Sequence, residues 1–150
     1  AHHLTLASGV QPVTNYSVQV LAWNDLGKGE YSGKVFARTP PAPPDAPGGL
    51  VAAEANTTFV EVDWEAPEAY GEAVQSYSVE VTPAPGEGPA FNVTLAGVWT
   101  YASVTGLLPG TQYAFRVRAE SLAGVGPWAG PISELTDSTP PSTPPPGARG

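Results

Sequence analysis

Slid against itself by 97 residues, this chain matches itself. From Gly9 to Pro47, 13 of 39 positions are identical without a gap. Random matching in such a composition gives about three. The pairs run Pro12 with Pro109, Thr14 with Thr111, Tyr16 with Tyr113, Val20 with Val117 and Ala22 with Ala119. Gly27 and Gly124, Gly29 and Gly126, Gly33 and Gly130, and Thr39 and Thr136 follow, then prolines. A period of this length is too long for a solenoid and fits a string of autonomous domains. The repeat therefore forbids one continuous fold over all 150 residues.

Proline marks the joints. The run from Thr39 to Pro47 separates the copies, and a second run from Thr139 to Pro146 follows the later copy. Such runs favour extended polyproline II and act as semi-rigid spacers. We expect a C-terminal fragment of one unit over residues 1–39 and a linker over 40–46. A complete unit is expected over 47–137, then a second linker over 138–150. The chain carries no starting methionine and no signal peptide, so it reads as a piece of a longer array with a third unit beyond Arg149.

Inside the complete unit the hydrophobic period is two. Val60, Val62 and Trp64 alternate with Glu61, Asp63 and Glu65. Ser76 to Val81 alternates likewise, and Tyr113, Phe115, Val117 and Ala119 share one face of another run. Shorter strand candidates are 49–54, 91–95, 101–105 and 131–136. Prolines interrupt every stretch that could carry a helical period. Seven short strands in one unit of this length predict an all-β, seven-stranded antiparallel β-sandwich. The stretch Leu107-Leu108-Pro109-Gly110-Thr111-Gln112-Tyr113 predicts a tyrosine corner, in which the hydroxyl reaches back to upstream backbone. Tyr16 after Val10-Gln11-Pro12 predicts the same corner in the first copy.

Along its whole length, the complete unit resembles a fibronectin type III domain. The matching residues are Pro47, Leu50, Trp64, Pro67, Val74 and Tyr77-Ser78-Val79, then Leu107, Pro109-Gly110-Thr111, Tyr113, Phe115, Val117, Ala119, Gly124 and Gly126. The first copy resembles only the family's final third. The resemblance implies an immunoglobulin-like fold set by Trp64, Tyr77, Leu107, Pro109, Tyr113 and Val117. It also implies ligand contacts in the loop Glu120 to Trp128. Without its earlier strands, the first copy would leave Tyr16, Val18 and Val20 with no opposing sheet. Residues 1–46 are then expected to fold poorly alone, or to dock on a neighbouring molecule.

Chemistry is sparse. With no cysteine, and His2 and His3 as the only histidines, neither an ordinary zinc site nor a Ser-His-Asp triad can be assembled. No phosphate-cradling glycine loop appears. Glu61, Asp63 and Glu65 would stand about 7 Å apart on an open strand face. Such a row reads as a solvated acidic face, with weak calcium or a basic protein partner as the sharper alternatives, and it lacks the cleft that splits two pKa values for acid–base catalysis. We expect no enzyme, no metal and no cofactor. The net charge is −8, and without clustered Lys and Arg neither nucleic acid nor an anionic membrane surface is a natural partner. No apolar run is long enough to span a bilayer.

Three of the four asparagines head sequons: Asn15-Tyr16-Ser17, Asn56-Thr57-Thr58 and Asn92-Val93-Thr94. They are candidate N-glycosylation sites, with accidental matches in a Thr-rich chain as the alternative. Ser138, Thr139, Ser142 and Thr143 would suit O-linked sugars. These features point to an extracellular or cell-surface location. Leu21, Trp23 and Trp128 are candidate interaction residues. For Trp128 the competing reading is loop packing, and for Leu21 and Trp23 it is contact with the linker or next module. The function expected is a non-catalytic structural or protein-interaction module from a tandem array. Such a module spaces or presents domains in adhesion or in a receptor ectodomain. The alternative is an accessory module of a secreted multidomain hydrolase. Expected partners are other proteins or neighbouring domains of the same chain. The sequence does not set an oligomeric state.

Overall fold

Alternation builds the sheets, because successive strand side chains point to opposite faces. The computed structural model describes residues 4–5 and 9–139. No helix forms among them, and they carry twelve strands. Four lie in the first copy: β1 (Asn15–Val18), β2 (Trp23–Asn24), β3 (Gly27–Lys28) and β4 (Val35–Arg38). Eight follow: β5 (Gly48–Ala55), β6 (Val60–Glu65), β7 (Ser76–Pro83), β8 (Phe91–Ala96), β9 (Tyr101–Val104), β10 (Gln112–Ser121), β11 (Gly124–Val125) and β12 (Ala129–Leu135). His2, His3, Ser142 and Thr143 lie outside the described residues.

The later copy is a two-layer sandwich. One sheet has the order β5-β6-β9; in the other, β8, β7 and β10 run in sequence, with β11 and β12 both on the far side of β10. All pairings are antiparallel. The alternating residues meet between the layers. Val60, Val62, Val79, Val81, Phe115, Val117 and Ala119 are fully buried, and Trp64, Leu107 and Tyr113 are 4% exposed. Burying one such side chain contributes about 1.5–3 kcal/mol. The Trp64 and Tyr77 rings stack at 5.2 Å in a tilted pair at the centre of this core. Burial raises the Tyr77 hydroxyl pKa above its ordinary value, and the neighbouring Trp64 indole partly offsets that. A buried phenol in apolar surroundings keeps its proton.

The first copy has no second layer among the described residues. β1 pairs with β4, and β2 with β3. Val20, Val35 and Phe36 are left 66%, 66% and 74% exposed. Its hydrogen bonds nevertheless copy those of the sandwich at the same offset. The Gln11 N–H donates to the Tyr16 hydroxyl at 2.7 Å, and the Leu108 N–H to the Tyr113 hydroxyl at 2.8 Å. Thr14 N–H donates to the Thr39 hydroxyl, and Thr111 N–H to the Thr136 hydroxyl, both at 3.0 Å. Those threonine hydroxyls donate in turn to the carbonyls of Gln11 and Leu108. Gly29 N–H reaches the Ala22 carbonyl as Gly126 N–H reaches that of Ala119.

The linker 40–46 differs from a free spacer. Pro44 is fully buried. Ala42 N–H donates to the Tyr70 carbonyl at 3.4 Å, and Asp45 N–H to the Glu68 carbonyl at 3.1 Å. The prolines set an extended backbone that the loops of the sandwich then hold.

Candidate functional site

The outward faces carry the candidate contacts. On β10, Arg116 and Arg118 alternate with the buried Phe115, Val117 and Ala119, so their guanidinium groups share the solvent side. Trp128 lies against both, with its ring centroid 4.1 Å from the Arg116 guanidinium carbon and 4.4 Å from that of Arg118. Glu80 on β7 grips Arg116 from the other side, at 2.8 Å. Trp128 is half-buried there, and it ties the approach to β12 onto β10. Cation–π contacts at such partly exposed sites contribute about 0.5–1 kcal/mol each.

The first copy is built otherwise at the same positions. Arg118 and Glu120 correspond at the offset of 97 to Leu21 and Trp23. Trp23 is 73% exposed, with the Lys28 ammonium 5.6 Å from its ring centroid. Leu21 is half-buried. Where the sandwich has Arg118 under the Trp128 ring and Glu120 in water, the first copy has an aliphatic and an indole.

The acidic row is split by its surroundings. The Ser103 hydroxyl donates to the Glu61 carboxylate at 3.2 Å, and Asp63 is half-buried beside Thr100 and Tyr101. Glu65 is exposed at the end of β6. Among the described residues, no three His, Cys, Asp or Glu side chains converge as a metal site would require. Beside this row, Trp99 and Tyr101 form an edge-on exposed pair, with centroids 5.7 Å apart. Sequence reading passed over that pair. Its signal was an alternation in which Tyr101 and Ser103 take the outward side while Ala102 and Val104 turn inward.

All three sequon asparagines are exposed. Asn15 lies on β1 and Asn92 on the edge strand β8. Asn56 sits in the β5–β6 turn, where its side-chain oxygen accepts the N–H groups of Thr58 and Phe59, each at 2.9 Å. The fold-setting residues occupy the core, except Pro109, which is half-buried in the turn before β10.

Two facing antiparallel sheets, one crossover core and a tyrosine corner before the sixth long strand define an immunoglobulin-like β-sandwich module. The chain belongs to the fibronectin type III family, whose family model, the fibronectin type III domain, matches residues 45–134. Protein sidekick-1 of Gallus gallus is 33% identical over 144 residues, which is 92% of this chain and 7% of that protein. Human receptor-type tyrosine-protein phosphatase F is 35% identical over 140 residues, covering 91% of this chain and 7% of its own length. Bovine contactin-1 is 33% identical over 138 residues, covering 91% and 13%. The chain thus spans a small part of each of these relatives. Among solved structures, the FN1-FN3 domains of chicken CNTN1 align with a TM-score of 0.57 at 24% identity, over 86% of this chain and 44% of that one. The FN5 domain of Drosophila Lar aligns with a TM-score of 0.53 at 23% identity, over 64% and 99%. These structures share the fold.

Proposed function

We propose that this chain is a non-catalytic interaction segment of a tandem fibronectin type III array in an extracellular or cell-surface protein. On this reading, residues 47–137 are one whole module and residues 1–39 are the last part of the module before it. Its partners are other proteins or neighbouring domains. One observation carries the interaction role. At two outward positions where the sandwich has Arg118 and Glu120, the first copy has Leu21 and Trp23. Trp23 pairs with Lys28 as Glu120 pairs with Val125, so that turn does not require the change at residue 23. Exposed aromatic anchors are what protein contacts use. Trp128, engaged by two arginines, serves the sandwich itself. Alignment of relatives over both copies supports the tandem reading. Three exposed sequons support the location.

Lys28 beside Trp23 supplies an amine for the test. Amine cross-linking of the intact parent protein on its own cells should join Lys28 to another protein or another domain. Trp23→Glu should lose that cross-link while keeping those from Lys34. Retention of the Lys28 cross-link in Trp23→Glu refutes the contact. Glycopeptide mass spectrometry on the same material should find sugar at Asn56 or Asn92, and bare asparagines at all three sequons count against the location.

A further inference from the structure

Two residues other than glycine have positive φ among the described residues: Val13 and Tyr70, both at 45°. They belong to different copies and lie on the two sides of the linker. For a β-branched side chain the left-handed region is a genuine outlier, costing on the order of 1–2 kcal/mol. The corresponding turn of the sandwich shows what the backbone prefers there. At the offset of 97 from Val13 stands Gly110, with φ of 60°. The turn is the same, and valine keeps it under strain where glycine does so freely.

The Val13 side chain has a seat. Its two γ-methyl carbons lie 2.5 and 3.3 Å from where a β-carbon on Gly71 would be. Gly71 itself has φ of 94°. Only a residue without a side chain leaves that notch open. Around it the linker is held from both sides. Val13 N–H donates to the Pro40 carbonyl at 3.3 Å, and the linker donates twice to the loop that carries Tyr70. The Tyr70 hydroxyl closes the loop by donating to the Asp45 carboxylate at 2.5 Å. On the other flank Pro43 packs against Gly124, and the Pro44 carbonyl occupies the space a side chain at Gly126 would need.

We propose that Val13 is a knob and Gly71 its notch, and that this contact, latched by Tyr70 on Asp45, sets the angle between the sandwich and the module before it. Loop 68–71 forms a docking surface whose partner is the 12–14 turn of the preceding module in the same chain, and loop 124–126 holds the linker prolines Pro43 and Pro44 beside it. The surface is specific to this joint. The turn at Gly110 presents no side chain, so whatever follows the sandwich meets a flat turn with Ser138 beside it. The strain at Val13 is accounted for by the seat it fills.

A disulfide trap tests the contact, because the chain has no cysteine of its own. The Val13 β-carbon is 3.5 Å from the β-carbon position of residue 71, within the span a disulfide bridges, roughly 3.5–4.5 Å. In the full chain, Val13→Cys with Gly71→Cys should oxidise within one molecule. It should do so at least about tenfold faster than Val13→Cys with Gly86→Cys, since a held contact raises effective concentration. Equal rates, or bridges only between molecules, overturn the proposal. Val13→Gly, which removes both strain and knob, gives a second readout that needs no new bond. In that variant, nitrogen relaxation should show residues 14–39 tumbling apart from 47–137, whereas in the native chain both move together. Unchanged relaxation in Val13→Gly also overturns it.

Discussion

Replacing Tyr113 by phenylalanine removes one oxygen and nothing else. The ring stays in its seat, 6.4 Å from Phe115 and 4% exposed. What is lost is the acceptor for Leu108 N–H, a 2.8 Å bond in partly buried surroundings. An ordinary hydrogen bond contributes about 0.5–1.5 kcal/mol net, and a donor left without water costs about 1–3 kcal/mol. Partial burial places the expected loss near 1.5 kcal/mol. For a domain of this size that lowers the melting temperature by about 6–12 °C. The first copy supplies the control. Tyr16 receives the Gln11 N–H in the same geometry, but that bond is exposed and water can replace the hydroxyl. Tyr16→Phe should therefore cost less than about 0.5 kcal/mol. Native-state hydrogen exchange, read over β10 for the sandwich and over β1 for the first copy, measures both. A Tyr113→Phe loss below about 0.5 kcal/mol, or equal losses in the two variants, would show that burial does not set the strength of the corner.

Thr136→Val should destabilise by about 1–3 kcal/mol in urea unfolding, because it strands the buried Thr111 N–H and the Leu108 carbonyl. Gly97→Ala should unfold at distinctly lower urea than wild type, since a β-carbon there meets the Val74 carbonyl, whereas Gly33→Ala, which faces open space, should not. Trp128→Ala should cost about 1–2 kcal/mol, and part of that loss should vanish in Arg116→Ala/Arg118→Ala backgrounds in a double-mutant cycle. The Tyr70 phenol is raised by its hydrogen bond to Asp45, then by desolvation and the nearby Asp45 and Glu68 charges. A tyrosine with a raised folded pKa contributes stability that is complete below the unfolded value and is lost as pH rises through the folded one. Absorbance titration should therefore show two phenols, Tyr70 and the buried Tyr77, ionising above the ordinary value of 10.0, and one of them should disappear in Tyr70→Phe.

Period-two alternation carried the sandwich into view because each strand has one wet face and one dry one. Val60, Val62 and Trp64 were readable as a row for that reason, and so were Tyr113, Phe115, Val117 and Ala119. The ends were less readable. β10 continues to Ser121 and pairs with β11 across a tight turn, and β12 begins at Ala129 although Pro131 interrupts its pattern. Ladder bonds across strands, rather than side-chain type, decide those limits. Contacts between distant segments were not readable at all. Trp128 gave no sign of its two arginines, because the three residues meet only after β10 and β12 pair in register. The linker looked like a spacer because nothing in a proline run says which loop will grip it. Val13 looked like an ordinary turn residue until its φ could be compared with that of Gly110.

That comparison generalises, since the two copies are each other's control. The positions that stay identical at the offset of 97 are those that close the backbone: Pro12, Thr14, Tyr16, Gly29 and Thr39 each do in the first copy what their partners do in the sandwich. Side chains in or against the sandwich core but exposed in the first copy are kept in type: Val18 answers the buried Phe115, and Val35 answers the partly buried Ile132. The positions that change in chemical kind include several on the outside or at the joint: Leu21 against Arg118, Trp23 against Glu120, Phe36 against Ser133 and Val13 against Gly110. A fold common to both copies cannot be the reason for differences between them. What distinguishes one copy from the other therefore includes exposed and strained residues that the shared backbone does not require. Exchanging Leu21 and Trp23 for arginine and glutamate should accordingly leave folding alone and alter only what the first copy touches.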